Sequence, residues 1–268
     1  MSLSSRKTYT AVLGAYSVGL YLQRHASSEL LGRADFNAAQ YPAWPAAADA
    51  LARLLEQYAQ ARGELRVLLS NHFTRVLLVP WVEQVTSPEE LASYARLCFE
   101  DIYAESAAGW VMRLSPEAAG RARLAAALPE GLLGRLQTDT QASGCCLVSV
   151  QPYLMAAFNH FSQALAREEF LFIVAEPGRS SLLLAREGGW ASVRSVSLSD
   201  STTALDALIA RENQLQQLDD RAPAPVYLHA PGRAEQVAGD TQAVQRLDVL
   251  LPLGQGGDPL HAMSLVVN

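Results

Sequence analysis

Two stretches of this chain, residues 8–35 and 170–198, are each written as three short β-rich runs separated by tight turns. Each is followed by an amphipathic helix and a short apolar strand, so one order of elements occurs twice. That recurrence constrains the fold more than any other feature, because a chain that spells the same mixed unit twice is expected to build two similar α/β layers. In the first copy the runs are 8–13 and 18–24, separated by Gly14-Ala15-Tyr16-Ser17 at hairpin spacing, with a third run over 30–35. A helix over 44–61 carries Leu51, Leu54, Leu55 and Tyr58 at i, i+3, i+4, i+7 and ends near Gly63, and the apolar run 65–69 follows as a strand buried on both faces.

In the second copy the runs are 170–175, 181–186 and 190–198, with turns at Glu176-Pro177-Gly178-Arg179 and Glu187-Gly188-Gly189. The helix over 204–218 sets Leu205, Leu208, Ile209 and Leu215 broadly on one side. A strand over 226–230 ends at Pro231-Gly232. The remainder reads as a short helix through Val237, a strand over 247–250, a Gly254-Gln255-Gly256-Gly257 turn and a terminal helix from about Pro259.

Between the copies, 75–79 reads as a strand closed by Pro80. Ser87-Pro88-Glu89-Glu90 is a capping box with proline at the first helical position. The helix it opens is expected to bury Leu91, Tyr94, Ala95, Cys98 and Ile102. Residues 110–114 and 121–128 are strand candidates, 132–143 is a helix stopped by Gly144, and 147–150 is a strand. Pro152 then opens a helix with the stripe Leu154, Phe158, Phe161 and Leu165. The fold class is therefore α/β with two lobes, 1–150 and 151–268, each a mixed sheet flanked by helices. The segment 88–144 reads either as an inserted subdomain or as part of the first lobe.

Composition narrows the function. With 50% hydrophobic and 18% charged residues in 268, the chain can bury a sizeable core. Its net charge of −6 carries no Lys/Arg stripe, so nucleic acid is a poor partner. The most apolar stretch, 76–82, is far short of the roughly 20 residues a spanning helix requires, and no signal-peptide pattern opens the chain. A cytoplasmic protein with no membrane span is expected. Cys98, Cys145 and Cys146 offer neither a disulfide framework nor zinc spacing, and the adjacent pair reads as two half-buried thiols of a strand.

The order of elements resembles the actin-like ATPase superfamily, whose two lobes are duplicated ribonuclease-H-like folds. The residues that carry the resemblance are the strand and helix Leu147-Val148-Ser149-Val150-Gln151-Pro152-Tyr153-Leu154-Met155-Ala156-Ala157-Phe158-Asn159. With them go the hairpin Phe172-Ile173-Val174-Ala175-Glu176-Pro177-Gly178-Arg179-Ser180-Ser181-Leu182 and the C-terminal Pro259-Leu260-His261-Ala262-Met263-Ser264-Leu265. Within the superfamily the chain is most similar in outline to the PilM-like proteins of type IV pilus assembly, the related MSHA pilus biogenesis protein and the cytoplasmic domain of the type II secretion L protein.

The resemblance implies a nucleotide held between the lobes by two facing hairpin turns, with a carboxylate near each to hold magnesium through its waters. The first turn would contribute Gly14 and Ser17, yet no Asp or Glu precedes Glu29. The second keeps an acid, Glu176, but Pro177 removes a backbone donor, leaving Gly178, Arg179, Ser180 and Ser181 to cradle an anion. Gly232 is the single glycine where the family uses a pair beside the adenosine. Loss of the metal site removes the main electrostatic help for phosphoryl transfer, so ATP and magnesium are disfavoured as cofactors, with no catalytic and no metal-binding residue expected.

The resemblance therefore implies a non-catalytic scaffold that docks a protein partner, such as a cytoplasmic segment of an inner-membrane pilus or secretion protein, and that is drawn to that membrane through its partner. The alternatives are an active ATPase or phosphotransferase using Asp200 or Asp206, and a small-molecule binder in the interlobe cleft. Other constellations are weaker. The five histidines lack metal-binding spacing, and Ser70-Asn71-His72 has no nucleophile elbow and reads as a turn. Trp44, Trp81, Trp110 and Trp190 sit at element ends, where rings cover an edge or form a binding patch.

Overall fold

The computed structural model describes residues 6–24, 27–60, 62–166, 168–218, 222–231, 244–249 and 258–267. They pack as two compact units: 1–74 with 129–160 and 249–268, and 75–128 with 161–248. The expected helix through Val237, the Gly254–Gly257 turn and Gly232 lie outside the described residues, as does Leu250 of the expected 247–250 strand.

The first unit is built on a five-stranded sheet of β1 (Thr8–Leu13), β2 (Ser17–Arg24), β3 (Ser27–Asp35), β4 (Glu64–Leu69) and β8 (Cys146–Pro152), in the order β3-β2-β1-β4-β8. Strands β1, β2 and β3 form an antiparallel meander, while β4 lies parallel to β1 and β8 parallel to β4. The second unit repeats the arrangement with β9 (Phe170–Glu176), β10 (Arg179–Arg186), β11 (Gly189–Ser197), β12 (Val226–His229) and β13 (Val244–Arg246), in the order β11-β10-β9-β12-β13. Here β9 to β11 are the antiparallel meander, and β12 and β13 the parallel additions. Identical order and identical strand senses in both sheets make the molecule a duplicated ribonuclease-H-like fold.

Burial explains why the central strands are so apolar. All seven residues of β9 are buried, as are five of the six in β1, because a strand covered on both faces has no solvent side on which to alternate. In the first unit α1 (Trp44–Tyr58) buries Leu51, Leu54 and Leu55, in line with its periodicity. The unit also holds α3 (Glu130–Ala142), α4 (Tyr153–Phe161) and α6 (Pro259–Ser264). Pro152, expected to open α4, is the last residue of β8, and the helix starts one residue on.

Residues 75–128 form a second layer inside the second unit: β5 (Arg75–Val79), β6 (Trp110–Leu114) and β7 (Arg123–Pro129) in the order β5-β7-β6, with α2 (Pro88–Tyr103) on it. The capping box is formed in full, with Ser87 Oγ accepting from the Glu90 amide at 3.1 Å and Glu90 Oε2 accepting from the Ser87 amide at 3.1 Å. Glu90 Oε2 also accepts from the Thr86 amide at 2.9 Å, and these amides hold its carboxyl below the usual range.

The core face of α2 differs from its sequence pattern. Ala95 and Phe99 are its buried residues, whereas Ile102 is 54% exposed. Tyr103 takes the inward place instead, donating to the Val76 carbonyl at 2.8 Å with its ring 5.0 Å from Phe99.

A comparable shift occurs on α5 (Thr202–Leu218). Leu205, Leu208 and Ile209 are buried as expected, but the stripe continues inward through Glu212 and Gln216, while Leu215 is exposed. Arg194 and Arg186 explain the polar turn: Arg194 donates to Glu212 and Arg186 to Gln216. The two cysteines expected to be half-buried in a strand also separate. Cys145 is buried ahead of β8 with its Sγ 3.4 Å from the Gln60 carbonyl oxygen, and Cys146 is exposed at the strand's first position. Strand β13 spans Val244–Arg246, upstream of the expected 247–250.

Candidate functional site

Each unit offers one hairpin turn of the kind the sequence singled out. In the first, β1 and β2 are joined at 14–16, and the Gly14 amide donates to the Ser17 carbonyl at 2.9 Å, closing the turn on itself. Gly14 must be glycine for a packing reason: a Cβ there would stand 2.5 Å from Leu260 Cδ2 of α6 and 3.0 Å from the Ser17 carbonyl oxygen. Ser17 is buried at the start of β2, while Tyr16 is 52% exposed with its ring 6.3 Å from that of His72. The β2–β3 register makes Asp35 the partner of Ser17, so the fold brings an acid to this turn from 18 positions downstream in sequence. Asp35 is exposed and 3.6 Å from the Arg33 guanidinium. The sequence reading missed it; hairpin register was the signal that would have found it.

The second turn, between β9 and β10, is tied more tightly. Gly178 has φ +73°, a left-handed conformation that glycine adopts without strain. Its amide donates to Asp200 Oδ1 at 2.7 Å, and its carbonyl accepts from the Leu198 amide at 3.1 Å. Both main-chain groups of the turn glycine are thus used by the segment just after β11. Glu176 is buried at the end of β9, paired in register with Arg179. Ser180 and Ser181 are fully buried; Ser181 Oγ shares a 2.7 Å hydrogen bond with Ser195 Oγ, and Ser180 Oγ has no partner among the described residues.

The charge of Arg179 is felt at Tyr103, the last residue of α2. Burial raises the Tyr103 phenol above its ordinary value, and the guanidiniums of Arg75 and Arg179 oppose that rise. The guanidinium of Arg75 lies over both the Tyr103 and Trp110 rings, at 5.5 and 5.4 Å. The structure thus gathers Glu176, Gly178, Arg179, Ser180 and Ser181 at one end of the second unit's sheet, and Gly14 and Ser17 in the first unit. Of the two acids weighed as alternatives, Asp200 is the acceptor for Gly178, and Asp206 Oδ1 is buried on α5 with no hydrogen-bond partner among the described residues.

Ser70-Asn71-His72 has structural duties. Ser70 Oγ accepts from the His72 amide at 3.2 Å, and Asn71 Oδ1 accepts from the Leu154 amide at 3.1 Å, capping α4 from a distance. Of the tryptophans, Trp190 donates to Glu117 at 2.7 Å and Trp110 packs against Phe99, while Trp81 is 42% exposed. Among the described residues no helix is long and apolar enough to cross a membrane, and no three His, Cys, Asp or Glu side chains stand together as metal ligands.

No protein-family model and no curated protein matches the chain. Solved structures do. The PilM-PilN type IV pilus biogenesis complex matches with a TM-score of 0.64 at 14% identity, over 97% of this chain and 97% of that one. The cytoplasmic domain of EpsL, an inner membrane component of the type II secretion system of Vibrio cholerae, matches with a TM-score of 0.61 at 14% identity, over 97% and 92%. A Bacteroides thetaiotaomicron protein described as having an actin-like ATPase fold and unknown function matches at 0.54 and 10% identity, over 87% and 84%. The fold is therefore actin-like.

Proposed function

We propose that this chain is a non-catalytic assembly protein, an actin-like fold that serves as a docking platform for a protein partner at the inner membrane in a pilus or secretion system. The observation that carries the reading is the bond from the Gly178 amide to Asp200. An anion seated on that turn would have to displace the carboxylate, or sit beside it. Two unit charges about 4 Å apart repel by roughly 4 kcal/mol at an effective dielectric of about 20. In the other unit no acid precedes the first turn, and Asp35, which the register brings beside it, is exposed and 3.6 Å from the Arg33 guanidinium. A metal-free anion therefore fits the second turn poorly, and a metal-bound triphosphate would have to draw Asp35 and Asp200 away from the guanidinium and the amide they now meet. The likeness in fold to a PilM-PilN pilus complex and to an inner-membrane secretion component supports docking as the use to which the fold is put.

One observation favours the phosphotransferase reading: the unpartnered, buried Asp206 Oδ1. A melting experiment separates the two. A ligand with Kd of about 50 μM supplied at about 5 mM stabilises the folded state by about 2.7 kcal/mol, worth roughly 5–10 °C in a chain of this size. Magnesium-ATP is expected to move the melting temperature by less than about 1 °C. A large magnesium-dependent shift accompanied by phosphate release refutes the proposal. The docking half is tested by co-purification with cytoplasmic segments of inner-membrane pilus or secretion proteins, where a one-to-one complex is expected.

A further inference from the structure

We infer that a groove in the second unit, between the segment after β5, the start of α2 and the β6–β7 connection, holds an extended acidic segment of a partner protein. The inference rests on the docking reading above and names the surface and the chemistry. The groove encloses about 530 Å³, inside the usual range of roughly 300–1,000 Å³ for ligand sites. Trp81, Val85, Leu91 and Tyr94 give it an apolar lining, and Arg121 and Arg123 give it positive charge. Trp81 leaves 42% of its surface in water, a costly place for a large ring unless something covers it.

The two arginines decide the sign of the occupant. Arg121 donates to the Gly188 carbonyl, and Arg123 to the Ser115 and Glu117 carbonyls at 3.3 and 2.7 Å. Carbonyls orient a guanidinium without neutralising it, and neither arginine pairs with a carboxylate among the described residues. Glu83 is the one acid in the lining, so two positive charges stand against one negative on a chain whose net charge is −6. A carboxylate beside bulky apolar side chains complements this surface: the acid forks onto the arginines, and its neighbours cover Trp81, Leu91 and Tyr94.

The backbone points to a peptide. Between Pro80 and Val85 the main chain makes a single hydrogen bond among the described residues, Val85 amide to Val82 carbonyl at 3.1 Å. That bond closes a turn at Glu83-Gln84, and the main-chain groups of Trp81, Glu83 and Gln84 are left to hydrogen-bond a peptide laid along the groove. Just beyond it, the Thr86 and Ser87 amides are fixed on Glu90, so the groove is held ready rather than assembled on binding.

The test pans phage-displayed random decapeptides on the full chain and measures the affinity of synthetic winners by fluorescence anisotropy. Enriched peptides are expected to carry Asp or Glu next to Leu, Ile, Phe or Trp. Their binding should weaken by about tenfold or more on Arg121→Glu and on Trp81→Ala, two exposed positions whose variants should melt close to wild type. Absence of enrichment, peptides without acidic bias, or affinity unmoved by both substitutions overturns the inference. A concentration-dependent dimer abolished by Arg121→Glu also overturns it, since a second copy then fills the groove. Persistence of the inner-membrane partner complex in both variants sinks the groove and spares the docking reading. Acidic peptides that bind while no such partner co-purifies sink the docking reading and spare the groove.

Discussion

Phe99 and Ile102 lie one turn apart on α2, and their truncation should separate by several-fold in cost. Phe99 is fully buried, with ring centroids 5.0 Å from Tyr103 and 5.3 Å from Trp110, in a cluster with Leu77, Val79, Ala95, Ala125 and Ala127. Removing such a ring costs about 3–5 kcal/mol, because the transfer energy is lost and the neighbours close the hole only in part. Ile102 is 54% exposed, so Ile102→Ala removes methylenes that are already half in water and costs about 1 kcal/mol or less. With a urea dependence of about 2 kcal/mol per molar, Phe99→Ala should lower the unfolding midpoint by about 2 M and Ile102→Ala by about 0.5 M or less. Tryptophan fluorescence reports the transition through Trp110, which Phe99 touches. Equal midpoints for the two variants would refute the packing derived for α2.

Two further substitutions probe the first unit. Gly14→Ala places a Cβ against Leu260 and the Ser17 carbonyl oxygen and should cost about 1–3 kcal/mol as overpacking. Leu260→Ala in the same chain should recover about 1 kcal/mol or more of coupling in a double-mutant cycle of urea melts, and strict additivity would argue against that contact. His160, in the last turn of α4 and exposed, has its imidazole held below the ordinary value by partial desolvation. The folded state disfavours the cation, so unfolded chain takes up the proton first; the stability this group supplies is whole above about pH 6.5 and is lost as pH falls toward the depressed value. His160→Gln should flatten slightly the fall in melting temperature between about pH 7 and about pH 5, and an unchanged slope would assign it to other groups.

The duplicated order of elements was legible because it rests on local patterning: turn residues, apolar runs too short to be helices, and the capping box at Ser87. Helix faces were less legible where a polar residue turned inward. A hydrophobic pattern places Leu215 in the core, yet the stripe of α5 runs through Glu212 and Gln216 because Arg194 and Arg186 on the neighbouring strands supply partners. Nothing within the helix announces those arginines. Ile102 failed for a related reason, since Tyr103 has an acceptor in the Val76 carbonyl and takes the inward place. Sequence periodicity measures hydrophobicity, whereas burial of a polar side chain depends on a partner that the tertiary path delivers.

The same limit applies to the candidate site. The turn residues Gly14, Pro177 and Gly178 were readable, and so was the missing acid before the first turn. What takes up each turn amide was not. In the first unit the Gly14 amide is satisfied by the Ser17 carbonyl at 2.9 Å, in the second the Gly178 amide by Asp200 at 2.7 Å. An anion that recruits the Gly14 or the Gly178 amide must replace an acceptor already in place, and in the second unit that acceptor is itself negative. Amides that are already paired gain little from a phosphate, because only the difference between the two hydrogen bonds is left to drive binding. Two topologically equivalent turns thus reach the same condition by different routes, a carbonyl in one and a carboxylate in the other. That convergence argues against anion binding at these two glycines more strongly than the absence of an acid before the first turn does.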